Sequence, residues 1–152
     1  MACQVKLLEY FNREGATVSI LRDFNDQAWK LENDAQRISE LDSEMTAVRG
    51  AALSPTPVQG GGTRMEDMLV NTIDKKAVYE HGYKQAEEYH RELLPAWERL
   101  TDAERFMLKA RYVNNDEYNG ISAIMEYYHI SRTEAYNRSN KALRRLTKLL
   151  FW

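Results

Sequence analysis

HISRTEAYNRSNKALRRLTKLLFW, residues 129–152, decides how this chain is read. It carries six Lys/Arg (Arg132, Arg138, Lys141, Arg144, Arg145 and Lys148) against one acid, Glu134, although the whole protein holds 21 basic and 23 acidic residues. At 100° per residue, with Thr133 at zero, Tyr136, Asn137, Asn140, Lys141, Arg144 and Lys148 fall between about −60° and +80°. Ala135, Ser139, Ala142, Leu143, Leu146, Leu149 and Leu150 fall between about 160° and 280°. The pattern predicts a helix over 132–150, apolar on one side and basic and amide-rich on the other. Arg138 and Arg145 lie on its flank.

The polar side suits a duplex. An Asn side chain can bond adenine N6 and N7 together, and Arg or Lys can pair with guanine O6 and N7. Lys148 and the flanking arginines can lie against phosphates, where released counterions supply affinity. Asn137 and Asn140 are poor helix formers, so propensity does not account for two of them in mid-helix.

Working outward, helix starts are legible as [S/T]-x-x-E boxes, in which the hydroxyl caps the N–H three residues on. They occur at Thr63–Glu66, Thr101–Glu104 and Ser131–Glu134. A further start is expected near Asn119-Gly120, after the turn-rich NNDEYNG. Residues 101–150 then read as three helices, roughly 102–113, 120–127 and 132–150. Ile121, Ile124, Met125 and Ile130 are expected to receive the apolar face of the last helix. Two helices joined by so short a turn form a helix-turn-helix, whose second member enters the DNA major groove.

Upstream, SILRDFNDQAWKLENDAQRISELDSEMTAV places Leu21, Phe24, Ala28, Leu31, Ala35, Ile38 and Met45 at alternating three- and four-residue spacing. That is the period of a coiled-coil seam, with Asp42 in one slot and Leu41 beside it. GAALSPTPVQGGG, residues 50–62, reads as a flexible loop. Leu69, Ile73, Ala77, Tyr83, Ala86, His90, Leu94 and Trp97 form a second, looser stripe. The expected fold is all-α: a long antiparallel helical hairpin over 1–98, serving oligomerisation, then a three-helix helix-turn-helix domain over 99–152. Phe24, Trp29, Tyr83 and Trp97 exceed what one helix pair can cover, which predicts a homodimer.

The charge divides in the same place. Residues 1–98 hold 11 Lys/Arg and 17 Asp/Glu, and residues 99–152 hold 10 and 6. A basic module on an acidic scaffold is implied. With one cysteine, Cys3, no internal disulfide framework is expected. No apolar run approaches a membrane span and the N-terminus does not read as a secretion signal, so a cytoplasmic protein is expected. No catalytic residue, cofactor or metal site is read. The single Glu-x-x-His, Glu87 to His90, is half of what a di-iron bundle requires, and no P-loop or Cys/His ligand cluster occurs.

LTDAERFMLKARYV…GISAIMEYYHISRTEAYNRSNKALRRLTKLL resembles region 4 of the primary sigma factors. The matching pieces are Leu100, Glu104, Arg105, Arg111 and Tyr112; Ile121 and Ile124; Ile130 and Ser131; and Lys141 to Leu146. The resemblance implies that Arg132, Thr133, Glu134, Tyr136 and Asn137 read promoter bases. Glu134 stands where that family usually has a base, and Arg138 where it has an apolar residue. A helical pair, a Pro/Gly loop and such a C-terminus are together similar to the ArpU/RinA-type phage late-gene regulators. This implies a sequence-specific DNA-binding transcription regulator of phage or prophage type, with double-stranded DNA as partner and RNA polymerase as a second. The DNA-binding set is Arg132, Thr133, Glu134, Tyr136, Asn137, Arg138, Asn140, Lys141, Arg144, Arg145 and Lys148. The rival readings are a phage terminase small subunit, which packages DNA, and an RNA polymerase-binding interaction module.

Overall fold

The computed structural model describes residues 11–52 and 62–152, and every element among them is helical. Cys3 and most of the expected 50–62 loop lie outside the described residues. The helices are α1 (Arg13–Arg22), α2 (Phe24–Ala52), α3 (Gly62–Glu98), α4 (Asp102–Leu108), α5 (Glu117–Tyr128) and α6 (Arg132–Phe151). A π-helical turn, Lys109–Val113, continues α4. Two expected boundaries shift. The helix expected across Leu21 and Phe24 is two helices, separated at Asp23. Gly62 is already helical, so α3 begins before the expected start near residue 64.

The chain divides into two compact units, one of the described residues to Asp26 with His90–Trp152, the other of Gln27–Tyr89. The boundary expected at 98/99 is therefore displaced, and α1 belongs with the C-terminal helices. Its reason is a packing contact that no local pattern announces. Thr147 Oγ1 of α6 lies 2.9 Å from Thr17 Oγ1 of α1 with both residues buried, and Leu21 one turn on is fully buried.

In the 27–89 unit the apolar stripes are offset from their expected register. On α2 the buried positions are Asp34 and Leu41, and the half-buried ones include Gln27, Leu31, Ile38, Met45 and Val48 at three-four alternation, with Ala28, Lys30 and Asn33 half-buried beside them. Ala35 and Asp42 are exposed, and Leu41 fills the slot beside Asp42. On α3 the covered positions include Leu69, Thr72, Lys76, Tyr79, Tyr83 and Ala86, while Ile73 and Ala77 are exposed. Polar members cause the offset. Asp34 is buried against Gly82, where an added Cβ would stand 2.5 Å from its carboxylate. Lys76 bonds Asp42 at 2.6 Å and Glu80 at 3.5 Å, and the Asp42 hydrogen bond is the main cause raising its ammonium pKa. The pairs 34/82 and 42/76 run in opposite sense along the two helices.

In the other unit, the end of α3 is anchored by Leu93, Ala96, Trp97 and Leu100, all buried, with Leu94 exposed in place of the expected stripe member. Phe24 stacks on Trp97 at 6.0 Å and on His90 at 6.2 Å. Met107, Ala110, Ile121, Ile124 and Ala135 form the central core, edged by Met125 and Ile130 as expected.

Candidate nucleic-acid interface

Local chemistry fixes both ends of the α5–α6 connection. α5 starts three residues before the expected Asn119, because the Asp116 carboxylate takes the Asn119 N–H at 2.8 Å. Gly120 instead lies inside the helix, pressed on the π turn: a Cβ there would stand 2.4 Å from the Ala110 carbonyl oxygen. α5 ends on His129, which adopts the left-handed conformation (φ 53°, ψ 48°) and returns its N–H to Met125. Two residues on, Ser131 Oγ accepts the Glu134 N–H at 3.2 Å and opens α6. Thr101 does the same for α4, accepting from Glu104 N–H at 3.2 Å. In neither box does the Glu take the reciprocal role. The Glu104 carboxylate accepts from the Thr101 hydroxyl and from Arg145, and that of Glu134 from Arg138.

The expected facing of α6 holds where its apolar pattern is strong. Ala135, Ser139, Ala142, Leu143 and Leu146 are buried. Leu149 and Leu150 are half-buried, and Thr147 takes the buried position against α1. Across the helix, Thr133, Asn137, Lys141, Arg144 and Lys148 form an exposed row along its length.

The eleven expected DNA-binding residues separate by what they already hold. Arg138 Nε donates to Glu134 at 2.8 Å, within the helix. Arg145 crosses to α4, where it pairs with Glu104 and donates to the Arg99 carbonyl at 3.1 Å. Tyr136 packs on the core with its ring facing the Arg111 guanidinium at 5.0 Å. The Asn140 amide oxygen accepts from Arg111. One lone pair of the Asn140 oxygen is thus engaged, whereas exposed Asn137 has no such contact among the described residues. Arg132 lies over the Tyr118 ring at 5.0 Å. Among the described residues, Arg132, Lys141, Arg144 and Lys148 have no ion-pair partner.

Arg111 organises this arrangement. Only 7 % exposed, it donates to Ser139 Oγ at 2.9 Å and to Glu117 at 2.9 Å besides Asn140, tying the π turn to α5 and α6. Its place in the resemblance gave no hint of this role. The π turn that aims it inward leaves no trace in residue periodicity. Beside it, burial pushes the Tyr112 phenol above its usual range, with the Arg111 charge opposing.

Among the described residues no group of three His, Cys, Asp or Glu could hold a metal ion, and no helix is long and apolar enough to cross a membrane. The unpaired cations and the free amide of Asn137 are the chemistry this surface offers: charge for phosphates, and donors and an acceptor for base edges. No family model matches the chain, and neither does any curated protein or solved structure.

Proposed function

We propose that this protein binds duplex DNA as a sequence-specific transcription regulator of phage type, with α5 and α6 as a helix-turn-helix and α6 as its reading helix. The observation that carries the reading is the exposed row Thr133, Asn137, Lys141, Arg144 and Lys148, set opposite a buried face on one capped helix. A solvated helix face ordinarily mixes both signs of charge. Here the nearby acids, Glu134 and Glu104, are taken by the flanking arginines, and the central cations remain available. The short turn and the Ser131 cap leave Thr133 and Asn137 exposed at the start of α6, as contact with a groove about 12 Å wide requires.

The remaining parts of the reading belong to the same proposal. Residues 27–89 form an antiparallel hairpin that pairs with a second copy, presenting two reading helices to related half-sites. Trp29 and Val78, 61 % and 70 % exposed, are the apolar groups this pairing would cover. Phe24 and Trp97, expected in the same role, already cover each other within the other unit.

Selection of bound sequences from a random duplex pool tests the proposal. An enriched motif, altered by Asn137→Ala and weakened without change of sequence by Lys141→Ala, is the expected result. Recovery of RNA polymerase with no duplex enrichment would move the basic face to a protein partner.

A further inference from the structure

A cleft of about 450 Å³ opens where the start of α1 meets the C-terminal half of α6. Asn12, Arg13 and Glu14 form one wall, and Arg144, Lys148 and Trp152 the other. The Arg13 guanidinium lies 4.1 Å from the centre of the Trp152 ring, which holds its charge at the cleft. Three cations meet one acid here, and among the described residues none of the three has an ion-pair partner. The Thr17–Thr147 contact, one turn from Arg13 on α1 and one turn from Arg144 on α6, holds the two walls together. Arg13 is also the first residue of α1, capped by Asn12, where a cation opposes the helix dipole. Helix stability therefore gives no reason for an arginine at this position.

The cleft is continuous with the row on α6 through Arg144 and Lys148. A helix of 20 residues is about 30 Å long, well beyond the width of one groove. When its first turns read bases, its last turns must pass over a backbone strand. A guanidinium stacked on an aromatic ring and flanked by two further cations suits a phosphate oxygen at that crossing.

We propose that this cleft seats a phosphate of the duplex backbone, with Arg13 supplying a contact from outside the reading helix. The inference rests on α6 being a duplex-binding helix. The full chain is titrated against its selected duplex and a scrambled one across a salt series, as wild type, Arg13→Ala, Arg13→Lys and Lys148→Ala. Each alanine variant should reduce the log–log salt slope by about one, weaken both duplexes alike and leave the selected bases unchanged. Arg13→Lys should restore the slope, because a phosphate accepts a point charge. An unaltered slope for Arg13→Ala, a changed base preference, or a lysine variant that does not restore binding would each overturn the inference while leaving the function of α6 standing. A wild-type chain with no affinity for either duplex would instead remove the underlying reading, and this inference with it.

Discussion

Arg111 donates to the amide oxygen of Asn140, so a buried cation of the π turn sets the orientation of a side chain on the proposed reading helix. The same guanidinium holds Ser139 and Glu117, and it lies 4.9 and 5.0 Å from the ring centres of Tyr112 and Tyr136. Arg111→Ala should cost about 3 kcal/mol, because it leaves buried acceptors unpaired and opens a cavity. The partly exposed Glu117 can return to water, which limits the loss. Arg111→Lys should recover little, since one ammonium cannot serve three acceptors in a planar fan. Urea unfolding of the three proteins measures both effects, and a lysine variant of wild-type stability would show that charge alone suffices.

Gly120 should resist any side chain. A methyl there would meet the backbone of the π turn, at 2.4 Å from the Ala110 oxygen and 2.6 Å from the Arg111 Cα. Gly120→Ala should lower stability by about 1–3 kcal/mol, as overpacking does, despite the better helix propensity of alanine. A thermal melt at or above the wild-type midpoint would mean that α5 can move away freely.

The protein should weaken at alkaline pH through Tyr112. Burial raises its phenol pKa, partly offset by Arg111, so the neutral form is the one that folds. An unfolded tyrosine ionises near pH 10. The contribution of the folded site is complete below about that pH and is lost as pH rises through the higher folded value. Burial raises Tyr128 in the same direction. Tyr112→Phe should flatten the decline in unfolding midpoint between neutral and alkaline buffers; an unchanged decline would place its cause elsewhere.

Sedimentation should find a dimer that Trp29→Ser together with Val78→Ser converts to monomer. The folded content by circular dichroism should stay unchanged, because both residues are exposed in the single chain. A wild-type monomer would end the proposal of paired half-sites while leaving the reading of α6 intact.

The last helix was legible because its two faces differ so strongly that a shift of one residue would bury arginine. The seams of α2 and α3 were not, because choosing apolar residues selected Ala35, Ile73, Ala77 and Leu94, all exposed. The covered positions include Asp34 and Lys76, which meet Gly82 and Asp42 across the pair, and Thr72. The capping boxes at Thr101 and Ser131 opened helices as their spacing required, since a cap is a local interaction. The packing of α1 on α6 was not legible, for the opposite reason. Thr17 and Thr147 lie 130 residues apart, and neither carries a pattern that names the other.

The central claim is that the exposed row of α6 binds duplex DNA while its opposite face holds the fold. Duplex affinity and urea stability, measured together for Lys141→Ala, Arg144→Ala and Leu146→Ala, test it most directly. Lys141 and Arg144 are exposed and unpaired among the described residues, so their variants should stay within about 0.5 kcal/mol of wild-type stability. Each should bind more weakly and with a shallower salt dependence. Leu146 is fully buried, and its variant should lose about 2–5 kcal/mol of stability. It should bind like wild type wherever it remains folded. Wild-type affinity in both Lys141→Ala and Arg144→Ala, or salt-independent binding by the unmodified chain, would contradict the account.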